Sequence, residues 1–313
     1  TFDANGGSGS NTTQTIEHNV SENLDANPFT KTGYSFAGWA TNSGGSVAFA
    51  EGASYTGISN ATLYAQWTVN AYTITFNTNG GDAGSTASQN INYGASANLT
   101  TNGFTKTGYT FASWNTQADG LGTDINDGAS YTMSSASNVT LYAKWTVNAY
   151  TITFNTNGGD AGSTASQNIN YGASANLTTN GFTKTGYTFA SWNTQADGLG
   201  TDINDGASYT MSSASNVTLY AKWTVNAYTI TFNTNGGDAG STASQNINYG
   251  ASANLTTNGF TKTGYTFASW NTQADGLGTD INDGASYTMS SASNVTLYAK
   301  WTVNAYTITF HTN

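Results

Sequence analysis

The chain contains no cysteine, no arginine, one proline and three glutamates in 313 residues. Without cysteine there is no disulfide framework and no thiol chemistry, so a small domain must rely on its apolar core. The redox compartment stays open on this count, although cysteine-free repeats suit an exported protein. Without arginine, and at a net charge of −10, there is no cation cluster to neutralise phosphate. Nucleic acid and an anionic membrane surface are therefore not expected as partners. No apolar run approaches the roughly 20 residues of a membrane helix, and no charged-then-apolar leader opens the sequence. Direct membrane insertion of this segment is not expected. Any export signal or anchor is expected outside it, because the first strand starts mid-pattern at Thr1-Phe2 and the last ten residues begin a further repeat.

What is present is repetition. Residues 70–147 recur unchanged at 148–225 and 226–303, a period of 78 residues. Self-similarity at a fixed period makes the chain a row of small cores. The domain boundaries expected are 1–69 (a divergent repeat with a truncated first strand), 70–147, 148–225, 226–303, and 304–313 as the first strand of a further repeat. Each 78-residue unit holds five Tyr, three Phe and two Trp among many Thr, Asn, Ser and Gly. Thr and the aromatics suit pleated, half-buried surfaces, and Asn, Gly, Ser and Asp supply turns, so the fold class expected is mainly β.

In the second copy Tyr72, Ile74 and Phe76 alternate with Thr73, Thr75 and Asn77, the period of a strand with one apolar face. It stops at Asn79-Gly80-Gly81. A second strand is expected through Gln89, Ile91 and Tyr93, while 95–101 fits either a helical turn or an irregular strand. In Gly108-Tyr109-Thr110-Phe111-Ala112-Ser113-Trp114 strict alternation puts aromatics on both faces, as in a central strand covered twice or one lending a face to a neighbour. After a Gly- and Asp-rich loop, 129–133 reads as a short strand, and Val139, Leu141, Ala143 and Trp145 alternate along a closing strand. Each unit thus reads as about five strands. Trp145 and Tyr150 are separated by Thr146, Val147, Asn148 and Ala149, with neither Gly nor Pro, so the joint should bend little and the array should form an extended rod.

Three motifs in this order resemble a known family. Phe76-Asn77-Thr78-Asn79-Gly80-Gly81, Gly108 through Trp114, and Thr140-Leu141-Tyr142-Ala143-Lys144-Trp145 are similar to the Listeria–Bacteroides repeat, also called the internalin B-repeat. The first copy carries them at 2–7, 33–39 and 62–67, so the resemblance covers essentially the whole chain. It implies small β-grasp-like domains, in tandem in large bacterial surface proteins, that space or support other domains without catalysis. Family members often place a Pro before the middle motif; the first copy keeps Pro28, whereas the others have Gly103, Gly181 and Gly259.

No catalytic, cofactor-binding or metal-ligating residue is assigned. The unit lacks His, Cys, Glu and Arg, and the two histidines, His18 and His311, fall outside the identical copies, so nucleophile–base arrangements have no base. The loop 119–128, with Asp119, Asp124 and Asp127, offers oxygen ligands for calcium, but it lacks the spacing and terminal Glu of an EF-hand, and the first copy replaces it with an Asp-free stretch. Turn chemistry is the stronger reading of its Asp and Gly residues. Lys106 and Lys144 raise a Lys–Asn or Lys–Asp crosslink, which would need a buried lysine, yet Lys144 alternates out of phase with its apolar neighbours. Asn-x-Thr/Ser triplets at Asn11, Asn19, Asn60, Asn98 and Asn138 arise readily in so Asn- and Thr-rich a chain. The function expected is a non-catalytic stalk of a bacterial surface adhesin, extracellular, its partners the neighbouring repeats of the same chain. The alternatives are a self-associating filament module, partnered by other copies through strand exchange, and a glycan-binding array.

Overall fold

The computed structural model describes residues 1–311. All regular structure among them is β, with no helix. The chain divides into two compact units, Thr1–Asn148 and Ala149–Asn313, each built from two repeats.

In the first unit, the repeat at 70–147 shows the complete architecture. Its opening strand, Ala71–Asn77, lies beside its closing strand, Val139–Val147. Gln89–Asn92 flanks the opening strand, while Tyr109–Asn115 and then Asp124–Ile125 flank the closing strand, giving a five-stranded sheet. Within this sheet the opening and closing strands pair in parallel, and every other neighbouring pair is antiparallel. The first and last strands of the repeat are therefore central, in keeping with a β-grasp-like sheet. Two ribbons complete the unit, Ala83–Gly84 with Phe104–Thr105 and Ser96–Asn98 with Ser130–Thr132. The stretch 95–101 thus contains a short strand. The second unit repeats this arrangement twice, around Ala149–Asn155 with Val217–Val225 and Ala227–Asn233 with Val295–Val303. The first repeat has a three-stranded sheet, Phe2–Asp3, Leu63–Val69 and Tyr34–Ala40.

The strand Tyr109–Asn115 departs from strict alternation. Its register with the closing strand shifts between Phe111 and Ser113, a β-bulge at Ala112. The extra residue reverses the side-chain parity beyond it. Phe111 and Trp114, three residues apart, therefore meet with ring centroids 5.0 Å apart. The strand is interior to the sheet, between Val139–Val147 and Asp124–Ile125, and beyond the bulge the consecutive Ser113, Trp114 and Asn115 are all buried, so both of its faces are covered there. The same bulge recurs at Phe36/Gly38, Phe189/Ser191 and Phe267/Ser269.

Each repeat has its own core. In the second, Ile74, Phe76, Ile91, Leu99, Phe104, Trp114, Met133, Leu141 and Ala143 are buried together. Trp114 is wholly buried against Phe76, Phe104 and Phe111. Its indole N–H has no acceptor, as in Trp39, Trp192 and Trp270. Edge-on aromatic packing contributes about 0.5–1.5 kcal/mol per pair beyond burial, which offsets an unmet donor.

The further strand expected at 304–313 does not form over 304–311, and 312–313 lie outside the described residues. Tyr306, Ile308 and Phe310 are 80%, 77% and 87% exposed. Elsewhere the same Ala-Tyr-Thr-Ile-Thr-Phe order is gripped between a closing strand and a Gln-Asn-Ile-Asn strand. Period-two patterning alone does not satisfy a strand's backbone.

Candidate functional site at the joint between repeats

One residue connects consecutive sheets. Between the first and second repeats, Leu63–Val69 is followed by Asn70 and then Ala71–Asn77. Asn70 donates its N–H to the Gly33 carbonyl at 2.9 Å, and its own carbonyl accepts from the Tyr93 N–H at 2.9 Å. Its side-chain oxygen accepts from the Ser35 hydroxyl at 2.7 Å. The connecting residue is thus bonded backward into one repeat and forward into the next, and its backbone has no polar group left to water to act as a swivel.

A tyrosine seats this joint. Gly33 is buried at φ +79°, and a Cβ there would lie 2.2 Å from Cγ of the Tyr93 ring. Only glycine both tolerates that dihedral and leaves room for the ring. Tyr34 meets Tyr93 edge-on at 6.3 Å, and the Lys31 ammonium lies 4.6 Å over the Tyr34 ring. In the second unit the joint is rebuilt from Gly186, Asn226, Tyr187 and Tyr249, with the same 2.9 Å backbone bonds and a 6.2 Å edge-on contact. Gly264, with no tyrosine seated on it, has open space where its Cβ would be, and Tyr265 beside it is 39% exposed.

The motif Phe76 through Gly81 proves to be more than a turn. Asn79 sits at φ +48° and donates to the carbonyls of Ala118 and Ala143, both at 2.9 Å. The Trp145 indole N–H donates to the Thr78 carbonyl at 2.9 Å. The end of the opening strand is thereby stapled to the closing strand.

The structure does not bring the acidic residues of loop 119–128 into one cluster. The Asp119 carboxylate accepts from the Leu121 N–H, Asp127 from the Asn102 N–H, and Asp124 from Lys144 and Asn115. Among the described residues no group of three or more metal-ligating side chains forms. The loop is organised by Asn115, which is 1% exposed. Its carboxamide donates to the Gly120 and Gly122 carbonyls and accepts from the Gln117 and Gly122 amides. The Lys144 ammonium, 2.7 Å from Asp124, and then the Asn115 amide hold the Asp124 carboxyl below the ordinary aspartate range. Lys144 is 39% exposed and pairs with Asp124 at the surface, not in the buried setting that a crosslink needs. Asp82 is lowered chiefly by the Thr107 backbone N–H, at 2.6 Å.

The departure at the Pro28 position also has a cause. A Cβ at Gly103 would lie 2.1 Å from the Ser85 carbonyl, and one at Gly84 2.0 Å from the Gly103 carbonyl. The Ala83–Gly84 ribbon closes only because both are glycine; in the first copy it is reduced to the isolated Ser8–Thr30 bridge.

Sequence reading missed the joint glycines, their tyrosines and Asn115. The last had a signal: Ala40 stands at its place in the one copy whose following loop differs.

Among the described residues no helix is long and apolar enough to cross a membrane. A protein of Evansella cellulosilytica, named as a Gly-rich membrane protein, is 34% identical over 302 residues, covering 92% of this chain and 33% of its own length. A second from the same organism, named as a membrane protein, is 34% identical over 280 residues, covering 88% of this chain and 40% of its own. The chain thus spans a third to two fifths of these relatives. The Listeria-Bacteroides repeat domain matches at residues 1–66, 72–144, 150–222 and 228–300, and the chain belongs to that family.

Proposed function

We propose that the chain is a non-catalytic spacer in the extracellular part of a bacterial cell-surface protein, holding a binding domain away from the cell. The observation that carries this reading is the joint: one connecting residue, bonded to both neighbours, with a tyrosine seated on a glycine that admits no side chain. Flexible linkers have neither the bonds nor the packing. Relatives named as membrane proteins, of which this chain matches only part, support a cell-envelope setting. Small-angle X-ray scattering on the four-repeat chain tests it. A concentration-independent, elongated particle with a maximum dimension of at least about 120 Å is expected, from four repeats of roughly 30 Å each. A flexible-chain profile would overturn the reading. Growth with concentration would favour self-association.

A further inference from the structure

The parallel pairing of the first and last strands of each repeat decides how tension on the chain enters the fold. In the second repeat Ile74, Thr75, Phe76 and Asn77 lie opposite Val139, Thr140, Leu141 and Tyr142. The chain enters the repeat at the start of the opening strand, Ala71, and leaves it at the end of the closing strand, Val147. These two points lie at opposite ends of the paired segment, since the register runs from 74 with 139 to 77 with 142. A pull on the two ends is therefore directed along the strands in opposite senses. It shears the ladder, loading its hydrogen bonds together.

Side chains reinforce this segment at both ends. At the entry end the Thr73 N–H donates to Asn138 Oδ1 at 2.9 Å. At the exit end Asn79 donates to the Ala143 carbonyl at 2.9 Å, and Trp145 to the Thr78 carbonyl at 2.9 Å. All three join the opening side to the closing side. They recur at Thr151–Asn216, Asn157–Ala221 and Trp223–Thr156, and again at Thr229–Asn294, Asn235–Ala299 and Trp301–Thr234. Buried Ile74, Phe76, Leu141 and Ala143 keep water from the backbone bonds between them.

We propose that each of the three identical repeats is a tension-bearing clamp, so that the chain resists extension as well as setting distance. This rests on the spacer reading only for its setting; the clamp is a property of each sheet. Its signature is directional. Force applied along the chain meets the whole ladder, whereas force applied across it, between two residues facing each other, opens bonds one at a time.

The absence of cysteine makes the test direct. One protein carries handles at the chain ends. A second carries Thr75→Cys and Thr140→Cys, two exposed positions that lie opposite each other in the register, with handles on the new thiols. Single-molecule stretching should give a rupture force several-fold higher end to end than across the pair. The three identical repeats should each release about 280 Å of contour less their folded span, from 78 residues at about 3.6 Å. Asn138→Ala, which removes one exposed side-chain bond, should make the second repeat rupture at a lower force than its unaltered copies. Equal forces in the two geometries, with unaltered secondary structure by circular dichroism, would overturn the clamp while leaving the spacer reading intact. A flexible scattering profile beside a directional rupture force would do the reverse.

Discussion

Asn115 decides the shape of the loop that follows it. With Asn115→Ala the Gly120 and Gly122 carbonyls and the Gln117 and Gly122 amides lose their shared partner. The expected cost is about 1–3 kcal/mol in that repeat, the penalty of unmet polar groups in a partly buried site. Hydrogen exchange at the Gln117 and Gly122 amides should accelerate, while Ile74 and Leu141 in the core keep their protection. The carboxylates give a pH prediction. Asp82 and Asp124, with their copies Asp160, Asp202, Asp238 and Asp280, all have lowered folded pKa values. A lowered folded value means that the unfolded chain binds protons first as the pH falls. Their contribution is fully present above the ordinary aspartate range and is lost as the pH drops through the folded values. The melting temperature should thus be level from neutral to mildly acidic pH and fall below that range. Melts followed by circular dichroism across pH check this, and a rise on acidification would contradict it.

At the scale of elements, the chain provides its own control for the joint. Gly33 and Gly186 have tyrosine rings within 2.2 Å of a would-be Cβ, whereas Gly264, at a similar φ of +76°, has nothing within 4 Å. Gly264→Ala should cost only the left-handed backbone term, about 1–2 kcal/mol. Gly33→Ala carries that same term and also unseats Tyr93, so the first and second repeats should melt less cooperatively; Gly186→Ala should do the same to the third and fourth. Differential scanning calorimetry on the three variants separates the effects. The bulge supplies another test, because Ala112 sets the parity that brings Phe111 to Trp114. Deleting it would send one ring to the opposite face, and the second repeat should lose its fold, seen as loss of the protected amides of that repeat alone.

For the molecule as a whole, four separate cores imply that stability is a sum over repeats plus terms at the joints. Trp114→Ala empties the centre of one core, at about 3–5 kcal/mol. For a unit this small that is a large part of its total. Thermal unfolding should then split, with the second repeat melting early and the second unit, Ala149–Asn313, keeping its transition. Joint disruption and core disruption thereby leave different calorimetric traces, one broadening a transition and the other separating it.

The sequence by itself determined the 78-residue period, the β composition, the alternation in the opening and closing strands, and the positions of the turns. These are local properties, carried by residue type and by spacings of one or two. It also placed Lys144 away from the core, where the structure finds it paired with Asp124 at the surface. Tertiary structure alone decided the rest. Alternation cannot reveal the bulge at Ala112, because a single extra residue shows only against a partner strand's register. Residues 305–310 repeat an opening strand letter for letter, yet form none over the described residues, because a strand is a pairing and not a pattern. Gly33 and Tyr93 are 60 positions apart in the numbering, in different repeats. Their contact depends on Asn70 fixing the angle between two sheets, a geometry that no short window of sequence contains.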